Sequence, residues 1–175
     1  MPAIANNATT APLSPIGRSD LIVPSFSLGT GPLGELRSLV PEEVAQATLS
    51  AAWDGGVRFF DTAGWYGRGL AEHRLGTFLR GKERTDYVVT TKVGRTLHRP
   101  ANPAGFDRSP WVGGLNFDVA FDFSYDGIMR SFDQALQRLV RPVAAEALLR
   151  VLVHQAADVV RVGRRVDAAL LVEDA

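Results

Sequence analysis

A strand-like run that ends in a charge, repeated further along with the opposite sign, is the feature that most limits how this chain can fold. In Val57-Arg58-Phe59-Phe60-Asp61 the two-residue period of a strand puts Val57, Phe59 and Asp61 on one face, so a carboxylate closes an apolar row. In Asp86-Tyr87-Val88-Val89-Thr90-Thr91-Lys92 the same period ends the row Val88, Thr90 with Lys92. A charge at the end of a buried row needs a partner. The two strands are therefore expected to lie side by side and to deliver an acid and a base to one rim. Between them Ala71, Leu75, Phe78 and Leu79 recur at helical spacing, and Gly81 closes the helix. Upstream, Pro41-Glu42-Glu43 opens another helix, with proline at the first helical position and two carboxylates at the positive end of the dipole. Val44, Ala47 and Ala51 form its expected apolar stripe, and Gly55-Gly56 ends it. Strands and helices alternating at this spacing require helical crossovers and parallel pairing, so the class is α/β.

Residues 1–16, rich in Ala, Asn, Thr and Pro, show no periodicity and read as a loose, disordered tail. Leu21-Ile22-Val23 and Phe26-Ser27-Leu28 suggest two short strands, the second running into Gly29-Thr30-Gly31-Pro32-Leu33-Gly34. This run matches G-x-G-x-x-G, but Pro32 interrupts it and no helix signal follows until Pro41. A strand-to-loop turn fits better than a Rossmann dinucleotide fingerprint, whose third glycine must open a helix. Residues 95–123 carry prolines, glycines and aromatics without a helical period, which suits a lid or substrate wall, or equally a surface insertion. Ser124 then caps a helix whose face is formed by Ile128, Phe132, Ala135, Leu136 and Leu139. Beyond Leu139 the composition shifts to Val, Ala, Leu and Arg, and a helix is expected from about Pro142 to Val162.

Charge excludes some partners. Nineteen basic and 19 acidic residues cancel, which favours neither nucleic acid nor an anionic membrane. The absence of cysteine removes disulfides, thiolate metal sites and a cysteine nucleophile. Met1 to Pro15 lacks the basic start and apolar middle of a secretory signal, so the expected location is cytoplasmic. His73 and His98 stand isolated, and no metal site is expected.

Four phrases in order carry a resemblance. Phe60-Asp61-Thr62-Ala63-Gly64-Trp65-Tyr66-Gly67, Gly69-Leu70-Ala71-Glu72-His73-Arg74-Leu75-Gly76, Thr90-Thr91-Lys92-Val93-Gly94 and Phe121-Asp122-Phe123-Ser124-Tyr125-Asp126-Gly127-Ile128-Met129-Arg130-Ser131-Phe132 resemble the aldo-keto reductases. Within that family they look most like the sugar and pyridoxal dehydrogenases. The resemblance runs from about Gly17 to Leu139 and implies a (β/α)8 barrel with its active site at the carboxyl rim of the strands. It implies NADP or NAD as cofactor and a small sugar or carbonyl substrate. Residue by residue, it makes Tyr66 the proton-transferring group, Lys92 its neighbour and Asp61 the carboxylate paired with Lys92. Gly29, Thr30, Asp61 and Lys92 are the implied cofactor-binding positions. An ammonium beside a phenol favours its charged form, and a carboxylate holds that ammonium in place. Taken singly, Asp61 could be a capping carboxylate, Tyr66 a surface aromatic and Lys92 a solvated strand end.

The family's fourth catalytic residue is a histidine ending the fourth strand. His154 is the candidate, although Glu146 to Val151 reads as helix; Val166 to Val172 has strand character but leads to Glu173. A (β/α)8 barrel takes about 250 residues, whereas this chain has 175. The expected architecture is thus an incomplete TIM barrel of three to four βα units over 17–139, with a divergent, mostly helical tail over 140–175. A fragment, a changed reading frame after Leu139, or two copies completing one another would each account for that. Open barrel edges would favour self-association.

Overall fold

The computed structural model describes residues 11–16, 22–139 and 151–153. Its centre is a parallel sheet in the order β3-β4-β5-β8, where β3 is Leu28–Gly29, β4 is Phe59–Asp61, β5 is Val88–Thr91 and β8 is Val151–Val153. The register sets Gly29 opposite Asp61, Asp61 opposite Thr90, and Thr91 opposite Val153. Helices α1 (Glu42–Asp54) and α2 (Leu70–Leu79) follow β3 and β4, and α3 (Tyr125–Leu139) precedes β8. This is the α/β alternation expected of an incomplete barrel.

Strand alternation separates two apolar layers. Phe60 and Val89 point toward the helices and join Leu49, Leu75, Leu79 and Leu139 in one cluster. Phe59 and Val88 point the other way and meet Val23. Val57, expected to share the Phe59 face, lies before the strand begins and packs with the helix-side cluster. In α1 the buried positions are Ala45 and Leu49, while Val44 is half exposed and Ala47 and Ala51 face solvent. The stripe expected at Val44, Ala47 and Ala51 is therefore displaced around the helix. Burying Leu49 and turning Trp53 onto Phe60, Phe78 and Tyr87 removes more apolar surface from water than burying two alanines.

Three other segments depart from the sequence reading, while Gly31–Gly34 follows the strand-to-loop turn it favours. Leu13–Pro15, inside the stretch read as a loose tail, is strand β1 and pairs antiparallel with β2, Ile22–Pro24. Gly31–Gly34 is a turn of 3-10 helix with no α-helix behind it, which removes the Rossmann alternative. Arg95–His98 (β6) and Asp118–Phe121 (β7) form an antiparallel ribbon, so the aromatic stretch after β5 is a hairpin carrying a long loop. Finally, β8 falls inside the segment expected to be helical. The free edge of β5 offers a row of backbone donors and acceptors, and the branched Val151-Leu152-Val153 run satisfies them as a strand. The expected strand at 166–172 lies outside the described residues.

Helix α2 is anchored by charge as well as by its apolar face. Arg74, almost fully buried, donates to Glu42 (2.8 Å), Glu35 (3.1 Å) and the carbonyls of Leu33 (2.6 Å) and Val40 (2.7 Å). Burial works to raise the Glu35 carboxyl, but the N–H groups of Gly114 and Val40, with Arg74, outweigh it and hold the group below its usual value of 4.5. A lowered carboxyl contributes stability above its unfolded value and loses it as the pH falls through the folded one. Two outcomes are expected in urea denaturation. Arg74→Met loses about 3 kcal/mol at pH 7, because Glu35 is left buried without its cation. The unmodified protein weakens progressively below pH 4.5, and Glu35→Gln flattens that acid limb.

Candidate active site

The carboxyl end of β4 and β5 gathers the groups singled out in the sequence. Lys92 Nζ donates to Asp61 Oδ1 at 2.7 Å and to the Thr62 carbonyl at 3.0 Å. Thr90 donates to the other carboxylate oxygen of Asp61 at 2.8 Å. The ammonium also stands 4.9 Å from the centroid of the Tyr66 ring. Asp61, Lys92 and Tyr66 are thus brought together, and Tyr66 and Lys92 line one cleft of about 240 Å³. Ala63, Trp65, Val93, Arg95, Phe121 and Phe123 complete its lining.

Each group is positioned by an identifiable local cause. The parallel register puts Asp61 beside Thr90, so strand pairing alone aligns the acid with the end of β5. Thr30, fully buried, bonds the Asp61 carbonyl through both its N–H (2.9 Å) and its hydroxyl (3.1 Å). Gly29 lies level with Asp61, and a Cβ placed on it would meet nothing within 4 Å. Tyr66 projects from a turn that rests on close backbone contact. A Cβ at Gly34 would stand 2.5 Å from Gly67 N, and one at Gly114 would stand 2.7 Å from Gly67 O. Gly67 has φ +63°, where a side chain is strained in any case.

Several contributors escaped the sequence reading. Glu72 has no exposed surface; it accepts from Thr91 at 2.6 Å and from Arg138 at 2.7 Å. Its signal was available, since helical spacing puts Glu72 on the face of Leu75, Gly76 and Leu79. Arg68, also buried, donates to the carbonyls of Phe117, Asp107 and Ser109 and so ties down the loop between β6 and β7. That loop brings Trp111 against both Trp65 (5.8 Å) and Tyr66 (6.2 Å). No periodicity announces such contacts. Ser124, by contrast, performs the capping role expected of it, its hydroxyl accepting from Gly127 N at 3.1 Å. The buried line of α3 is nonetheless narrower than expected, with Gly127, Ser131, Ala135 and Leu139 at its centre and Ile128, Phe132 and Leu136 half-buried beside it. Strand β8 ends one residue before His154, which itself lies outside the described residues.

Gly34→Ala provides a check on the turn. The added methyl has no room between the two backbones, so a loss of about 2 kcal/mol is expected. Near-ultraviolet circular dichroism should change with it as Trp65 and Trp111 shift, and an unaltered spectrum would contradict the packing described.

The sequence profile of the Aldo/keto reductase family matches residues 25–142. A pyridoxal 4-dehydrogenase from Microbacterium luteolum is 48% identical over 136 residues, covering 73% of this chain and 39% of that protein. A D-threo-aldose 1-dehydrogenase from Pseudomonas sp is 41% identical over 129 residues, 68% of this chain and 37% of the relative. Among solved structures, an aldo-keto reductase from Bacillus halodurans in its holo form superposes with a TM-score of 0.53 at 26% identity, covering 73% of this chain and 36% of its own. The chain spans about two fifths of the length of the curated relatives named here.

Proposed function

Because the chain belongs to the aldo-keto reductase family, we propose that it carries the acid–base portion of an NAD(P)-dependent oxidoreductase site acting on an aldose or a similar small alcohol or carbonyl substrate in the cytoplasm. The observation that carries this reading is the Lys92–Asp61 pair at 2.7 Å, with the Tyr66 ring 4.9 Å from the same ammonium in a shared cleft.

Each residue then has one task. In the oxidising direction Tyr66 takes the substrate hydroxyl proton; in the reducing direction it returns a proton to the carbonyl oxygen. Lys92 holds a positive charge beside the phenol, where negative charge develops as the proton moves. Asp61 fixes that ammonium, and Thr90 fixes Asp61. The residues present fit the reacting end of a nicotinamide dinucleotide, since the end of β3 at Gly29 is open beside the Asp61 carboxylate. Gly29, Asp61 and Lys92 would hold that end, with Thr30 acting by anchoring the main chain of Asp61. When bound, the nicotinamide supplies the hydride acceptor or donor. The family resemblance gives His154 the part of orienting the substrate carbonyl; it follows β8 in the chain and lies outside the described residues.

A second reading is a non-catalytic module that associates with a further copy. It is favoured by β3 and β8, which among the described residues are the edge strands of the parallel sheet. NADPH fluorescence discriminates between the two: saturable binding by the purified chain at micromolar concentration is expected, and its absence would favour the module. Tyr66→Phe is expected to abolish NAD(P)-linked turnover while leaving NADPH binding and thermal stability unchanged. Turnover equal to that of the unmodified chain would reject the assignment of Tyr66.

A further inference from the structure

Arg95 lines the cleft that holds Tyr66 and Lys92 but has no part in the proton transfer proposed for them. Its backbone is fixed, because Arg95 opens β6 opposite Phe121 of β7. Its guanidinium carbon lies 4.8 Å from the ring centroid of Trp65 and 4.7 Å from that of Phe121. These aromatic contacts occupy the flat surface of the group and leave its N–H donors at the edge. Among the described residues no carboxylate or carbonyl accepts from that side chain. The other cleft cation, Lys92, is already paired with Asp61. Burial pulls Arg95 below the ordinary guanidinium range, and among the described residues no acid offsets it. A half-buried cation with its donors free beside a reaction centre is a receptor for an anion, and a planar fork of N–H groups matches two oxygens of one oxyacid.

We propose that Arg95 is the specificity-determining residue of the cleft and receives a carboxylate or phosphate that the substrate carries away from its reacting carbon. This rests on the oxidoreductase reading for where the reacting carbon lies, while the anion site itself rests on Arg95, Trp65 and Phe121. The substrate class becomes an acidic sugar or a phosphorylated small carbonyl compound, rather than a neutral sugar. The reacting carbon would sit at Tyr66 and Lys92 while the acidic end reaches Arg95. Trp65, which touches the guanidinium, reports on occupancy through its emission.

The test is a titration of the full chain, followed by tryptophan fluorescence, with D-glucuronate, D-glucose 6-phosphate and D-glucose, and in parallel with NADPH. Glucuronate or glucose 6-phosphate should bind at least about tenfold more tightly than glucose, the range expected for a charge-assisted pair. The tighter of the two acids identifies the anion. Arg95→Gln should erase the preference and leave NADPH affinity unchanged, and Arg95→Lys should retain only part of it. Equal affinity of the unmodified chain for charged and neutral sugars would overturn the proposal without any variant having to fold. So would a preference that survives in Arg95→Gln. Weakened NADPH binding alone in Arg95→Gln would also overturn it, by assigning the arginine to a cofactor phosphate. A preference for acids without NADPH binding would leave the anion site standing and remove the redox reading. NADPH binding without such a preference would do the reverse.

Discussion

Glu72 is a carboxylate with no exposed surface, and its two oxygens tie three elements together. One accepts from Thr91 at the end of β5, the other from Arg138 in the last turn of α3. Taking a charge out of water costs several kcal/mol, and only good geometry with full hydrogen bonding offsets it. Removing either partner would leave that cost uncompensated, so the register of α2 against β5 and α3 is narrowly specified. Two residues on, Arg74 is turned toward the segment from Leu33 to Glu42 and performs the corresponding task there. One short helix thereby fixes the strand below it, the helix beside it and the segment leading into α1. Gly76 permits this closeness, since a Cβ there would collide with the Arg138 carbonyl.

The consequences reach the site through strand alternation. Thr91 is held from the helix side by Glu72, while its neighbour Thr90 is bonded to Asp61 on the opposite side. Lys92 follows directly, so the ammonium leaves a strand that is pinned on both faces. On the far side Asp61 is aligned by pairing with β3 and by the two bonds from Thr30. The acid and the base are therefore placed by main-chain geometry and buried threonines, and the 2.7 Å contact between them follows. The ribbon of β6 and β7 is attached to the same frame by α3, where Gln134 bonds both N–H and C=O of Leu97 and Ser131 accepts from Gly94.

The sequence made the frame legible because its signals were periodic. The rows ending in Asp61 and Lys92 announced adjacent parallel strands, and Ala71, Leu75 and Leu79 announced the face of α2. Propensity failed where tertiary pairing decided the outcome. Val151-Leu152-Val153 sits in a helix-favouring text and becomes a strand because β5 has an unfilled edge. The stripe read at Val44, Ala47 and Ala51 leaves out Leu49 and Trp53, whose burial contributes far more than that of alanines. The loop between β6 and β7 was illegible in detail. Arg68 selects three carbonyls from a stretch about forty to fifty residues away, and such choices depend on shape rather than on pattern.

Three glycines, Gly34, Gly67 and Gly114, come from separate parts of the chain and meet backbone to backbone at the turn that carries Tyr66. With no side chains at that junction, the spacing of the segments that hold this turn is set by the thickness of the polypeptide itself. Two walls of the cleft, Arg95 and Phe121, stand instead on the ribbon of β6 and β7. The turn that carries Tyr66 and these walls are in this way mounted on separate foundations, so the walls can be redrawn while the turn keeps its place.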